Sequence, residues 1–366
     1  MGMTDRERHG SIASPEFEPY ETIVIYKVSS TFPTDKGIER LSAERHFMSR
    51  ITETQDQVRD VAWMHYVAGL TQAEIAKRRG LSRMKVHRLV QAALDQGIVR
   101  IFVNQVSSDC VELETKLMKR YGLSSCIVAP DTGLTHSMAG TMPVVASAGA
   151  FYLYGRLENT EPKIIGIGSG RTMAEVVRQL PSIRRPKVEF ISTTGDFAAL
   201  SAANPFEVIN ILMEKTGGGG YAFTAPLIVD TPEDRELFLR QRSVCKSREK
   251  LAEADFIFAG IGHIGPGSFF SSFGLLTEAE MAELNGQGAV ADLVGNPIDE
   301  EGRFVENGIA SRMLGLQRSV LRESETIVIC SGTEKWRAAR SALRSGCLNG
   351  FITSQSLAKR LLAEPA

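Results

Sequence analysis

Apolar positions over residues 55–103 follow a helical period that glycines cut into three. Val58, Ala62, Met64, His65, Val67 and Ala68 share a face until Gly69 stops the run. Thr71-Gln72-Ala73-Glu74 then reads as a capping box, its hydroxyl and carboxylate satisfying amides that a helix start leaves free. This second helix ends at Arg79, before Gly80. Ser82 caps a third, whose buried stripe is Val86, Leu89, Val90 and Ala93, and Gly97 ends it ahead of a short strand at 98–103. Residues 108–121 form one more amphipathic helix, with Cys110, Leu113, Leu117 and Tyr121 on one side.

From Cys126 the pattern changes. Short β-rich apolar runs near 126–129, 163–167, 188–192, 255–260 and 326–330 alternate with helical stretches near 171–180, 205–215, 277–284 and 333–345. Such alternation implies parallel strands with helices on both faces, an open α/β domain. Before residue 55 the prolines at 15, 19 and 33 break the pattern, and only 23–28 reads as a strand. The expected organisation is an irregular extension at 1–54, a helix-turn-helix domain at 55–104, a linking or subunit-pairing helix at 105–125, and an effector-binding domain at 126–366. Met48 stands just before the first patterned helix, so translation starting there, with 1–47 outside the native protein, is an expectation of this reading.

Composition refines this picture. The 366 residues exceed what one hydrophobic core supports, and 43% hydrophobic with 23% charged residues is a globular balance. The net charge of -1 hides an asymmetry: residues 55–104 carry eight Lys/Arg against four acids, whereas the segments on either side are mildly acidic. A basic module on an acidic body suits DNA binding at one end. Five scattered cysteines (110, 126, 245, 330, 347) without a C-x-x-C pair suggest neither disulfides nor a metal site. No apolar run is long enough to span a bilayer and no signal pattern opens the chain, so a cytoplasmic protein without membrane association is expected.

Two helices joined by a glycine-containing turn, the second bearing exposed cations, fit a DNA major groove. Arg83, Met84, Lys85, His87 and Arg88 are the expected base and phosphate readers, and Thr71 and Gln72 lie at a helix start, where amides and dipole favour a phosphate. The plainer alternative is a solvated cationic face used for protein contacts. In the body, Ile164-Ile-Gly-Ile-Gly168-Ser169-Gly170-Arg171-Thr172 is a strand entering a glycine turn and a helix. There backbone amides can close on an anion or on sugar hydroxyls, with Arg171 and Thr172 adding donors, although a purely structural turn would look similar. Gly260-Ile-Gly262-His263-Ile-Gly265 matches the dinucleotide fingerprint in letters. Pro266 comes at once where a helix should open, so it reads as a loop at a strand's carboxyl end.

Gly69-Leu-Thr-Gln-Ala-Glu-Ile-Ala76, Gly80-Leu-Ser-Arg83, Val86-His-Arg-Leu89 and Gly97-Ile-Val-Arg-Ile101 resemble the DNA-binding end of the SorC/DeoR-type family of sugar-responsive regulators, and the resemblance covers about residues 55–360. It implies a winged-helix-like N-terminal domain and a sugar-binding domain similar in fold to glucosamine-6-phosphate deaminase and ribose-5-phosphate isomerase. The implied partners are double-stranded operator DNA, a sugar, polyol or sugar-phosphate effector, and further copies of the chain as a dimer or tetramer. Thr194-Gly195-Asp196, Ala225-Pro226, Gly288–Asp292 and Ser331–Lys335 also resemble family segments, adding Gly195, Asp196, Asp292 and Lys335 to the implied effector residues. Met84-Lys85 replaces a common Pro-Thr, Ser169 a common Trp, and Cys245 a common basic residue, which implies a distinct operator and ligand shape.

The leading expectation is therefore a non-enzymatic regulator of carbohydrate metabolism that needs no cofactor. The alternative is a sugar-phosphate isomerase or deaminase, for which Asp196 with His263 is the one acid/base pair available.

Overall fold

In the computed structural model the described residues are 55–96, 98–99, 107–133, 136–160, 162–197, 204–306 and 308–363. The expected strand at 23–28, Met48 and most of the expected strand at 98–103 lie outside them. The chain divides into two units, residues 1–90 and 91–366.

Among the described residues the first unit holds three helices. Residues 55–67 form α1, whose last turn, Trp63–Val67, is a π-helix; Gln72–Arg79 forms α2 and Arg83–Asp95 forms α3, which runs across the division. Val58, Val61 and Ala62 are buried, but Val67, expected on the same face, is 65% exposed. The π-turn inserts an extra residue per turn, which rotates the end of the helix away from the buried side. The stripe Val86, Leu89, Val90 and Ala93 is buried as expected, and Ile75 of α2 is buried as well.

In the second unit, α4 (Ser108–Tyr121) leads into β1 (Ser125–Ala129), and α5 (Met138–Asn159) into β2 (Ile164–Ile167), α6 (Arg171–Gln179), β3 (Glu189–Ser192), α7 (Pro205–Thr216) and β4 (Gly219–Tyr221). Then come α8 (Pro232–Leu239), α9 (Arg242–Ala252), β5 (Phe256–Gly260), β6 (Gly262–His263), α10 (Phe269–Ser272), α11 (Glu278–Gly286), β7 (Ala291–Asp292) and β8 (Pro297–Ile298). The chain closes with α12 (Arg318–Glu323), β9 (Thr326–Cys330), α13 (Trp336–Arg344), β10 (Gly350–Ser354) and α14 (Gln355–Ala363). Seven strands make a parallel sheet in the order β1-β10-β9-β5-β2-β3-β4, while β6, β7 and β8 make a small antiparallel one.

The large sheet is buried on both faces, and strand period two explains how. Phe256 and Phe258 of β5 and Ile327 and Ile329 of β9 pack beneath α5, α6 and α7. Their neighbours Ile257, Ala259, Val328 and Cys330 point the other way, into the core that holds residues of α4, α9, α13 and α14. Cys110, Leu113 and Leu117 of α4 lie in that core, so the segment read as a linking helix is built into this unit.

Five elements carried weak sequence signals. α5 is apolar nearly all round, including Pro143 and the exposed Phe151, so no amphipathic period marks the face that its Val145, Ala146, Ala150, Leu153 and Leu157 bury. β10 is five buried residues running directly into α14, too short to stand out. The antiparallel strands β6 to β8 have two residues each.

The topology positions the site. From β2 the chain steps outward to β3 and β4, then returns to place β5 on the opposite side of β2 and continues to β9 and β10. Two crossovers therefore diverge between β2 and β5, leaving a crevice beyond their carboxyl ends where ligands collect in open α/β sheets.

Candidate functional site: a cationic helix and a cleft at the switch point

Two groups of residues carry chemistry, one in each unit. In the first, the Thr71 hydroxyl accepts the Glu74 N–H (3.3 Å) and the Glu74 carboxylate accepts the Thr71 N–H (2.8 Å), completing the capping box. Hydrogen bonds donated by the Thr71 amide and, secondly, by its hydroxyl hold the Glu74 carboxyl below its usual value. Gly80 ends α2 in a left-handed conformation (φ 63°), which only glycine adopts without strain. Ser82 Oγ then accepts the Lys85 N–H (3.2 Å) to start α3.

On α3, Arg83, Met84, His87 and Arg88 are exposed, Met84 at 68%, and Lys85 is half-buried. Among the described residues Arg83, Lys85 and Arg88 have no ion-pair partner, whereas Arg79 of α2 pairs with Asp60 at 2.5 Å. Uncompensated cations on one helix end, supported by a small apolar core, can meet a polyanion without first breaking an internal pair.

In the second unit a cleft enclosing about 820 Å³ of space open to solvent lies at the ends of β2, β3 and β5. Nine of the residues expected at an effector site line it: Gly168, Ser169, Gly170, Arg171, Thr172, Gly260, Gly262, Asp292 and Lys335. Gly170 starts α6 at φ 102° without a side-chain cap, leaving first-turn amides and the positive end of the helix dipole at the cleft. Gly168 serves a different need. A Cβ there would stand 2.7 Å from Ala259 Cβ and 2.8 Å from its Cα, so β2 and β5 approach each other only because this residue has no side chain. Gly168→Ala should therefore destabilise the protein by about 1–3 kcal/mol, measured by urea unfolding; unchanged stability would show that the strands are not held so closely.

Asp292 on β7 faces Gly262 on β6, its register partner. Asp292 Oδ2 accepts the Gly295 N–H (3.3 Å), and the enclosed Oδ1 has no hydrogen-bond partner among the described residues. Burial lifts its carboxyl to about 6, against a small downward pull from the Gly295 amide. Lys335, in the 3-10 turn Thr333–Lys335 after β9, donates to the Ile261 carbonyl (3.1 Å) at the rim. His263 Nε2 lies 3.3 Å from the Pro266 carbonyl and must carry a proton there; burial holds the ring's basicity below the usual histidine value. An apolar wall completes the cleft: Phe269 and Phe270 line it, and Phe197 packs edge-on against Phe269 with centroids 4.8 Å apart. The cleft thus offers a buried acceptor, cationic and amide donors, and an aromatic wall, a set that suits a small polyhydroxylated ligand, with or without an anionic group.

Gly195 and Asp196 do not line the cleft. A Cβ on Gly195 would stand 2.3 Å from the Pro226 carbonyl oxygen, and Asp196 Oδ1 is taken by the Phe197 amide (2.7 Å) and Asn204 Nδ2 (2.8 Å). These residues fasten the end of β3 to the segment at 225–227. Asp196 and His263, the one pair nominated for acid/base chemistry, therefore do not share the cleft. The sequence reading missed Thr193, Val294, Phe269 and Phe270; the Phe269-Phe270 doublet after Pro266-Gly267 was the one visible signal, and nothing in it specified a wall.

Residues 106–363 match the sugar-binding domain family, and residues 68–100 match a winged helix-turn-helix DNA-binding family. The chain is 33% identical over 306 residues to the erythritol catabolism regulatory protein EryD of Brucella abortus, covering 83% of this chain and 95% of that protein. It is 27% identical to the transcriptional regulator LsrR of an Enterobacter species over 89% of this chain and 98% of the relative. The crystal structure of the full-length sorbitol operon regulator SorC from Klebsiella pneumoniae superposes with a TM-score of 0.65 at 23% identity, covering 84% of this chain and 98% of that one, which shows the shared fold.

Proposed function

The chain belongs to the SorC/DeoR-type family of sugar-binding transcriptional regulators, and on that premise we propose that α3 reads operator DNA and that the cleft between β2 and β5 binds the effector that controls it. Carrying the effector assignment are Asp292 and the uncapped start of α6, which line the same cleft: the enclosed carboxylate oxygen Oδ1 lacks a donor, and the first-turn amides lack a side-chain acceptor. A polyol or sugar supplies hydroxyls to the first, and hydroxyl or phosphate oxygens to the second. The likeness to a regulator of erythritol catabolism supports a short polyol, its free or phosphorylated form, as the effector class. Gly168–Thr172, Gly260, Gly262, Asp292 and Lys335 are the assigned ligand-contacting residues, with Phe269 and Phe270 against the carbon chain.

For DNA, Arg83, Met84, Lys85, His87 and Arg88 contact the groove, and Thr71 and Gln72 contact a phosphate. One recognition helix covers only a half-site, so the working form is a dimer or tetramer acting in the cytoplasm. The relatives matched are regulators, and the separation of Asp196 from His263 leaves catalysis unsupported.

A thermal-shift screen of four- to six-carbon polyols, sugars and their phosphates, followed by DNA retardation with each stabilising compound, tests this reading. At least one compound should raise the melting temperature and change operator affinity. Stabilisation without any change in DNA binding would remove the cleft from the switch.

A further inference from the structure

A second cleft, enclosing about 1240 Å³ of space open to solvent, lies between α8, the end of β7–β8 and the segment leading into α12. Its charged lining is Arg235, Arg248 and Arg318 against Glu236 and Glu306. Two of the arginines are already committed. Arg235 pairs with Glu236 (3.1 Å) and donates to the Met313 carbonyl (2.9 Å), and Arg318 pairs with Glu306. Arg248 differs: it is half-buried and, among the described residues, has no ion-pair partner.

Gln317 holds Arg248 in place. With the amide oxygen turned to face these donors, it accepts from Nη2 (2.9 Å) and Nε (2.8 Å), and among the described residues the Nη1 edge of the guanidinium has no partner. Burial, with Arg235 close by, pushes this guanidinium below its ordinary value, so its charge is maintained at a cost. Half-buried cations are ordinarily balanced by an anion, and a fixed planar fork is the shape that receives oxyanions with paired hydrogen bonds.

We propose that this cleft is a second ligand site, for a small molecule bearing a phosphate group, in which Arg248 supplies the missing ion pair. It is distinct from the effector cleft yet abuts it through one turn. Asp292 and Val294 line the effector cleft, and Gly295, Asn296 and Pro297 line the second. Val294 adopts φ 54°, a left-handed conformation unfavourable for a β-branched side chain, and Gly295 lies against Gly315 so closely that a Cβ on it would be 2.4 Å from the Gly315 Cα. A ligand seated against Arg248 therefore presses on the same tight turn that carries Asp292, which makes the second site a regulatory input.

The test uses the full-length protein, inorganic phosphate as the probe, and chloride to keep ionic strength constant. Titration calorimetry and thermal melts are run on the wild type, Arg248→Met and Arg171→Gln. Arg248→Met should weaken one class of phosphate binding by about tenfold or more, and Arg171→Gln should leave that class in place. In phosphate-free buffer Arg248→Met should melt at or above the wild-type temperature, because an unbalanced half-buried charge is removed. The proposal is overturned if phosphate binding is the same in Arg248→Met and the wild type, or if Arg171→Gln abolishes it all. A lower melting temperature for Arg248→Met without phosphate would overturn it too, since the guanidinium would then be a brace for Gln317.

Discussion

Asp292→Asn is expected to make the ligand-free protein more stable at pH 7.5 while strongly weakening its response to effector. The wild-type carboxyl, raised by burial to about 6, is ionised at that pH, with one oxygen enclosed and unpartnered. Because the folded-state value lies above the unfolded one, the native chain binds this proton more tightly, and stability falls as pH rises from about 4 to about 6. The amide variant escapes that loss, so its advantage in melting temperature should be absent near pH 3.5, grow through the window and level off above it. Ligand binding runs the other way. A hydroxyl donating to the carboxylate favours the charged form, so wild-type effector affinity should rise through pH 6 and then plateau. Removing that charge-assisted hydrogen bond costs about 1.5–3 kcal/mol, roughly 10- to 150-fold in affinity. Operator binding without effector should remain. A variant that melts below the wild type at pH 7.5 and still responds would remove Asp292 from the site.

Arg83→Ala carries the second large effect. Arg83 begins α3, the helix proposed to read DNA, is exposed, and has no internal ion pair among the described residues, so its donors are available to a base or a phosphate. If it pairs with a base, the variant should lose about 1–3 kcal/mol of discrimination between operator and random DNA. If it meets a phosphate, binding to all sequences should weaken together and the dependence of log affinity on log salt should become shallower by about one. Arg79→Ala is the control: that side chain is already engaged by Asp60, so its loss should change DNA binding far less. Operator affinity, specificity ratio and salt slope all matching the wild type would exclude Arg83 from the contact surface.

Much of the architecture was legible because local signals agreed with one another. The Thr71–Glu74 box, the stop at Gly80 and the Val86-Leu89-Val90 stripe each depend on residues within a few positions, and the structure reproduces all three. The strands at 164–167, 256–260 and 326–330 were legible for a related reason. A parallel strand is covered on both faces, so it reads as an unbroken apolar run between helices. Where local pattern and tertiary role parted, the reading failed. Val67 was placed inside because a regular period was assumed, and the π-turn moved it outside. α5 passed unnoticed because even its exposed side carries apolar residues such as Phe151, which leaves no polar face to set a period.

The site divides along the same line. The sequence by itself determined the helix-turn-helix, the glycine turn after β2 and the alternation of strands and helices, since all three are written in contiguous residues with short-range physical causes. Only the tertiary structure decided which distant segments meet. Strand order brings Gly168–Thr172, Gly260–Gly262, Asp292 and Lys335 to one crevice across more than 160 positions of chain, and gives the crevice its Phe269–Phe270 wall. It also withdrew Asp196, whose carboxylate is committed to Asn204 and the Phe197 amide. Spacing along a chain records what neighbours can do for each other; convergence, burial and an unmet hydrogen bond exist only once the sheet has closed around them.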